Sequence, residues 1–253
     1  MWALGAGVAL VIVAGLALQF AISRNGPAVL SAVARITGGS GEARLVASIS
    51  TGDHPAQKLI VWGPEAEVGS REGLPVLVFV HGGSWRAGDP SDYGFIGRAC
   101  VPKGFVVVLA GYRLHPDGKN PSKVEDTAEA VAWTAREISQ YGGDANRIVI
   151  AGHSAGAYNV VMTALEERWL GRKGLSTKDV AGVIGLAGPY DFYPFDSEST
   201  VDAFGHAAEP ETTQPIAHVR ADSPPALLIH GANDTLVRPR NSQELAGRMV
   251  AAG

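Results

Sequence analysis

A serine with a glycine two positions to either side is the first place where chemistry could reside: Gly152-His153-Ser154-Ala155-Gly156. Before it, Arg147 to Ala151 is apolar and rich in β-branched residues, the composition of a short buried strand. After it the sequence reads as a helix through about Leu170. Strand, G-x-S-x-G and helix together form the nucleophile elbow. The serine backbone is strained so that Oγ projects from the sheet, and side chains two residues away would collide with the turn. The helix that follows turns its free N–H groups and positive dipole end, the Ala155 amide first, towards the place where a developing oxyanion would sit. That arrangement suits nucleophilic attack on a carbonyl. A plain glycine-rich turn that contains Ser154 is the competing account, and the flanking strand and helix argue against it.

Two further stretches lie just past apolar runs. His81-Gly82-Gly83-Ser84-Trp85 follows the run Pro75 to Val80, at the position from which a second oxyanion donor pairs with the Ala155 amide. His81 precedes that loop and reads as a loop-shaping residue rather than a base. Trp85 either lines an acyl pocket or packs the loop. Asp234, in the loop beyond the run Leu227 to His230, stands where a carboxylate would orient a catalytic histidine and stabilise its imidazolium. On its own it also suits a turn former. Asp191 and Asp222 are weaker rivals, since neither directly follows a clear strand.

The elements that must hold these loops can be read in order. Arg44 to Thr51 and Gln57 to Gly63 alternate apolar and polar residues around Gly52-Asp53-His54-Pro55, which predicts an antiparallel hairpin. Pro75 to Val80 and Phe105 to Ala110 are continuous apolar runs, as in strands buried on both faces. Between Pro121 and Tyr141 the period lengthens, with Val124, Ala128, Val131, Ala132, Ala135 and Ile138 at helical spacing and Ser122 with Glu125 as a capping box. Strands at Val180 to Ala187 and Ala226 to His230, then a helix from Asn241 to Ala252, complete the pattern. Strands alternating with helices after a hairpin predict an α/β fold with a mostly parallel sheet.

Residues Trp2 to Ile22 carry no charged side chain, which is about the length a helix needs to cross a hydrocarbon core. The expected organisation is therefore an N-terminal membrane anchor or cleaved signal over residues 1–23, a linker over 24–44 and a catalytic domain over 45–253. Ala21-Ile22-Ser23 would suit a signal peptidase, and a core helix is disfavoured because the segment has no polar face. Arg24, Arg35 and Arg44 would keep the domain on the cytoplasmic side, whereas export is the usual fate of such a segment. The reading leans to the cell envelope, outside the cytoplasm. A net charge of −4 gives no electrostatic case for nucleic acid. The lone Cys100 allows no internal disulfide or cysteine-based metal cluster, and its place in an apolar helix suits a structural thiol.

Together HGGSW at 81–85, GYRLHP at 111–116, GGDANRIVIAGHSAGA at 142–157 and DSPPALLIHGANDTLV at 222–237 resemble the α/β-hydrolase family. The likeness is to its esterases with a His-Gly-Gly oxyanion motif, including feruloyl and acetylxylan esterase-like and kynurenine formamidase-like members. It extends from about Leu45 to the end. The resemblance implies a serine hydrolase of small-molecule esters or related acyl compounds that needs no cofactor and no metal. It implies Ser154 as nucleophile, Asp234 as triad acid, and Gly82, Gly83 and Ala155 as oxyanion donors. An amidase of the same fold is the alternative enzyme.

One element departs from the family. Triad order is Ser, acid, His, yet none of the seven histidines, at 54, 81, 115, 153, 206, 218 and 230, follows Asp234. In the family that histidine comes after one more helix and strand, and Gly253 falls where that last strand should begin. The expectation is a C-terminally incomplete domain, inactive alone because Ser154 lacks its base. The alternative is a natural binding module without catalysis. Recruitment of His153, His206 or His218 is disfavoured, the first because it should point away from Oγ. A missing strand would also leave an exposed sheet edge.

Overall fold

The computed structural model describes residues 2–37, 43–64 and 73–253, with the side chains of residues 2–17 and 23 outside the described set. Its centre is a seven-stranded sheet in the order β1-β2-β4-β3-β5-β6-β7. The strands are β1 (Ala43–Ser50), β2 (Lys58–Pro64), β3 (Leu74–Val80), β4 (Val106–Ala110), β5 (Gly143–His153), β6 (Gly182–Leu186) and β7 (Ala226–Ile229). β1 and β2 form the expected antiparallel hairpin, and β2 joins β4 antiparallel. Every pairing from β4 to β7 is parallel.

The continuous apolar runs are central strands, as expected for residues buried on both faces. In β4 all five residues are buried and alternate between two cores. Val106, Val108 and Ala110 face α3 (Ser122–Glu137) and α4 (Ala155–Leu165), packing with Val131, Val160 and Val161. Val107 and Leu109 point the other way, to Trp62, Phe79 and Tyr93 beneath α2 (Gly94–Cys100). The short α5 (Arg168–Gly171), α6 (Glu198–Phe204) and α7 (Arg240–Ala252) complete the fold.

Three expectations need adjustment. The capping box of α3 is absent: Pro121 is the N-cap, and Ser122 Oγ turns outward to donate to the Lys119 carbonyl at 2.6 Å. The helix after Ser154 stops at Leu165, with Glu166 extended (φ −98°, ψ 103°) before α5 begins. At the amino terminus, α1 (Trp2–Ile36) runs through much of the stretch expected as a linker, broken at Asn25. Its second half is tied to the sheet's helical cover: Asn25 Nδ2 donates to Asp92 Oδ2 at 2.8 Å and Ser31 Oγ to the Asp92 carbonyl at 2.7 Å. The anchor expected over residues 2–22 falls largely on side chains outside the described set. Among the described residues no helix is long and apolar enough to cross a membrane.

Among the described residues β7 pairs with β6 alone and forms one edge of the sheet, with Leu227 54% and Ile229 51% exposed.

Candidate active site

β5 delivers the chain to Ser154, and α4 carries it away. Ser154 has φ 52° and ψ −118°, a region that a residue with a Cβ occupies only under strain. The glycines around it are demanded by space. A Cβ on Gly152 would lie 2.3 Å from the Gly156 carbonyl oxygen, and one on Gly156 would lie 2.2 Å from that of Val80. The Ser154 amide donates to the Leu186 carbonyl at 2.8 Å, fixing the turn to β6, and the side chain remains half-buried and reachable. Every residue of α4 is buried, so the helix dipole acts at the elbow with little solvent screening.

The loop after β3 supplies the second wall. Gly83 has φ +125°, and a Cβ there would overlap the Ala87 carbonyl at 1.9 Å, so only glycine makes this turn. Ser84 and Trp85 follow with φ of 53° and 57°, and the Arg86 and Ala87 amides both donate to the Gly83 carbonyl at 3.0 Å. The three expected oxyanion donors are not equivalent. The Gly82 amide already donates to Tyr93 Oη at 3.2 Å. The amides of Gly83, Ser84 and Ala155 enter none of the hydrogen bonds found among the described residues. Ser84 was not singled out in the sequence. The signal was there in its place directly after two glycines, but only the positive φ values show which way the peptides turn.

His81 is buried, stacks on Tyr112 with centroids 4.5 Å apart, and donates from Nδ1 to the Gly82 carbonyl at 2.7 Å. Burial lowers its pKa, so it stays neutral, a shaping residue as its position suggested. Trp85 is 3% exposed and packs edge-on against Tyr158 and Phe204, with Nε1 donating to Asn159 Oδ1 at 3.2 Å. It stands within the packing behind the loop.

Asp234 sits past β7 with one carboxylate oxygen committed. Oδ1 accepts from the amides of Leu236 at 2.9 Å and Val237 at 3.0 Å, which aims Oδ2. Oδ2 lies 3.7 Å from His230 Nε2, but that nitrogen donates to the Val237 carbonyl at 2.7 Å. Nδ1 of His230 lies 2.7 Å from Ser242 Oγ, so this histidine braces the Asp234 turn from both ring nitrogens. Of the rival acids, Asp222 is held by Arg220 at 3.0 Å, and Asp191 has its amide fixed by Asn241.

No histidine among the described residues hydrogen-bonds Ser154. His153 Nδ1 meets Tyr93 Oη at 3.0 Å, His206 Nε2 donates to the Asn120 carbonyl at 2.7 Å, and His218 Nε2 to the Thr212 carbonyl at 2.7 Å. Desolvation lowers the His153 pKa despite the opposing pull of the Asp234 carboxylate.

The family model described as BD-FAE matches residues 65–249. The chain belongs to the BD-FAE family. Esterase LipC of Mycobacterium tuberculosis is 28% identical over 79% of this chain and 54% of its own length. Isoprenylcysteine alpha-carbonyl methylesterase ICME of Arabidopsis thaliana is 27% identical over 81% of this chain and 52% of its own length. The chain thus spans about half the length of these curated relatives. Among solved structures, esterase B of Lactobacillus rhamnosis superposes with a TM-score of 0.72 at 20% identity, covering 91% of this chain and 81% of that one. The shared fold is that of the α/β-hydrolases, and the BD-FAE match includes both loops and the elbow described above.

Proposed function

We propose that this BD-FAE chain carries the nucleophile and oxyanion hole of a serine carboxylic-ester hydrolase acting on small-molecule esters. The observation that carries the reading is a half-buried hydroxyl, Ser154, held in strained backbone at the start of a buried helix and facing a loop of uncommitted amides. The esterase names of the relatives support the substrate class. Ser154 Oγ attacks the ester carbonyl carbon while its proton passes to a base. The oxyanion is met by the amides of Gly83 and Ala155, with Ser84 beside them. Collapse expels the alkoxide, which takes that proton and leaves as alcohol; water then repeats the sequence to free the acid. Gly82 serves the loop rather than the oxyanion. Trp85 supports the loop from behind.

The base is none of the seven histidines of these 253 residues. Asp234 Oδ2 is the atom that would orient it. Loss of the histidine in a serine protease costs about 10⁶-fold in turnover, so this chain alone hydrolyses esters negligibly. Imidazole in the buffer can act as the base. Turnover of p-nitrophenyl acetate in imidazole, with the Ser154→Ala protein as background, is expected to exceed that background; equality of the two proteins would refute the reading.

The engagement of His81, His153, His206, His218 and His230 elsewhere favours one second reading, a hydrolase fold used for binding rather than catalysis. It predicts saturable ester binding with no imidazole-dependent turnover. We also propose that residues 2–22 associate with a membrane, supported by their lack of any charged side chain. Sedimentation of the protein with lipid vesicles, resistant to salt and released by detergent, tests it; recovery in the supernatant with vesicles present would contradict it.

A further inference from the structure

Tyr93 belongs to neither motif, yet it touches both walls of the site. It ends a one-turn helix, Pro90–Tyr93, in which the Asp89 carboxylate accepts from the Ser91 amide at 2.9 Å. The preceding residue, Asp92, is the one that Asn25 and Ser31 of α1 grip, and Ser31 Oγ also accepts from the Phe95 amide at 3.1 Å. The Tyr93 ring packs against Phe79 at 5.2 Å and Phe95 at 5.8 Å, and is 5% exposed. Its position is therefore set from three sides.

The hydroxyl has one proton and must serve two neighbours. The Gly82 amide can only donate, so Oη accepts there, at 3.2 Å. The tyrosine proton is then free for His153 Nδ1, at 3.0 Å, which leaves the His153 ring proton on Nε2. One direction runs through all three groups: Gly82 N–H to Tyr93 O–H to His153 Nδ1. Gly82 is also wedged against the elbow, since a Cβ on it would lie 2.8 Å from His153 Nδ1 and 3.3 Å from Ser154 Cβ. Gly82 ends the β3 side of the site and His153 ends β5, so this hydroxyl joins the two strands where the reaction would occur.

Building on the hydrolase reading above, we propose that Tyr93 is a positioning residue: by holding the Gly82 amide and the His153 ring together, it aims the amides of Gly83 and Ser84 at the oxyanion. Removing the hydroxyl takes away one of the two hydrogen bonds on the His81–Gly82 peptide, whose carbonyl still accepts from Tyr112 Oη at 3.2 Å, while the Gly82 carbonyl stays on His81 Nδ1 at 2.7 Å. The loop loosens without coming free, and the aim of the next two amides loosens with it. The substrate ground state makes little use of those donors, whereas the tetrahedral intermediate depends on them. The effect therefore falls on kcat.

The test is Tyr93→Phe, which keeps the packed ring and removes only the hydroxyl. With p-nitrophenyl acetate in imidazole, after subtraction of the Ser154→Ala background, kcat is expected to fall roughly tenfold with KM unchanged, below the ~10²–10³-fold loss of an oxyanion donor. In ¹⁵N spectra, the Gly82 amide and the His153 Nδ1 resonances are both expected to move. Unchanged kcat and an unmoved Gly82 amide in Tyr93→Phe would overturn the proposal. A wild-type protein no faster than Ser154→Ala would instead sink the hydrolase reading. The two resonances then decide alone whether Tyr93 holds the loop, their constancy counting against it.

Discussion

The Cβ that Gly156 lacks would sit 2.2 Å from the carbonyl oxygen of Val80. This one contact joins the two halves of the candidate site: Val80 ends β3, from which the proposed oxyanion loop departs, and Gly156 lies in the first turn of α4, behind the proposed nucleophile. The closeness of helix and strand brings the Ala155 amide beside the loop. A methyl group there must push them apart. Gly156→Ala is expected to lower stability by roughly 3 kcal/mol, the upper range for overpacking. Urea denaturation monitored by tryptophan fluorescence would show it, and an unchanged midpoint would mean that α4 is free to move away.

Strain at Ser154 makes the opposite prediction. With φ 52° and ψ −118°, the serine occupies backbone space that glycine enters freely. Ser154→Gly is expected to raise stability by about 1 kcal/mol as strain of order 1–3 kcal/mol is relieved, while Ser154→Ala leaves the strain in place. Both remove the proposed nucleophile. Comparison of their urea midpoints separates strain from loss of the hydroxyl, and equal midpoints would argue that the turn stores none.

Lys123 carries a pH prediction. It is fully buried, with Nζ donating, among the described residues, to the Ala203 carbonyl at 3.2 Å, and burial pushes its pKa down to about 6. The Phe204 and Trp85 rings, 3.8 and 5.1 Å from Nζ, favour the ammonium form, but two ring faces and a carbonyl do not replace a hydration shell. The unfolded chain holds this proton up to the ordinary lysine range near 10.4, whereas the folded protein has released it above about 6. Between those values the unfolded state binds more protons, so stability rises with pH, by up to ~1.4 kcal/mol per unit from this group. Lys123→Met should flatten the pH dependence and stabilise the protein at neutral pH. Urea midpoints measured at neutral and mildly alkaline pH for both proteins would show this, and parallel pH profiles would refute it.

The outer edge at β7 predicts self-association. Leu227 and Ile229 present half-exposed apolar side chains beside unpaired strand backbone. Ile229→Lys is expected to reduce concentration-dependent association in sedimentation velocity without altering the fold. A wild-type protein that stays monomeric at high concentration would count against this use of the edge.

Much of this could be seen in the sequence where the cause is local. The buried runs at Val76 to Val80 and Val106 to Ala110 announced the parallel core, because strands covered on both faces have no polar face to show. Gly152, Ser154 and Gly156 announced the turn, since their spacing answers to sterics within it. What lay hidden depends on partners distant in sequence. Nothing near Tyr93 indicates that its hydroxyl meets Gly82 and His153, or that Asp92 beside it receives Asn25 and Ser31 from α1. Likewise Ser122 reads as a helix cap until the Lys119 carbonyl is placed within its reach. Trp85 could have faced either way, and only the packing of Tyr158 and Phe204 places it behind the loop.

The central claim is that Ser154 is a nucleophile waiting for a base. Its most direct test is to mix the protein with p-nitrophenyl acetate in imidazole buffer, quench in acid and map any acetyl group by peptide mass spectrometry. The account predicts acetylation of Ser154 that depends on imidazole and disappears in Ser154→Ala. Acetyl groups confined to lysines, with the Ser154 peptide unmodified at every imidazole concentration, would contradict it.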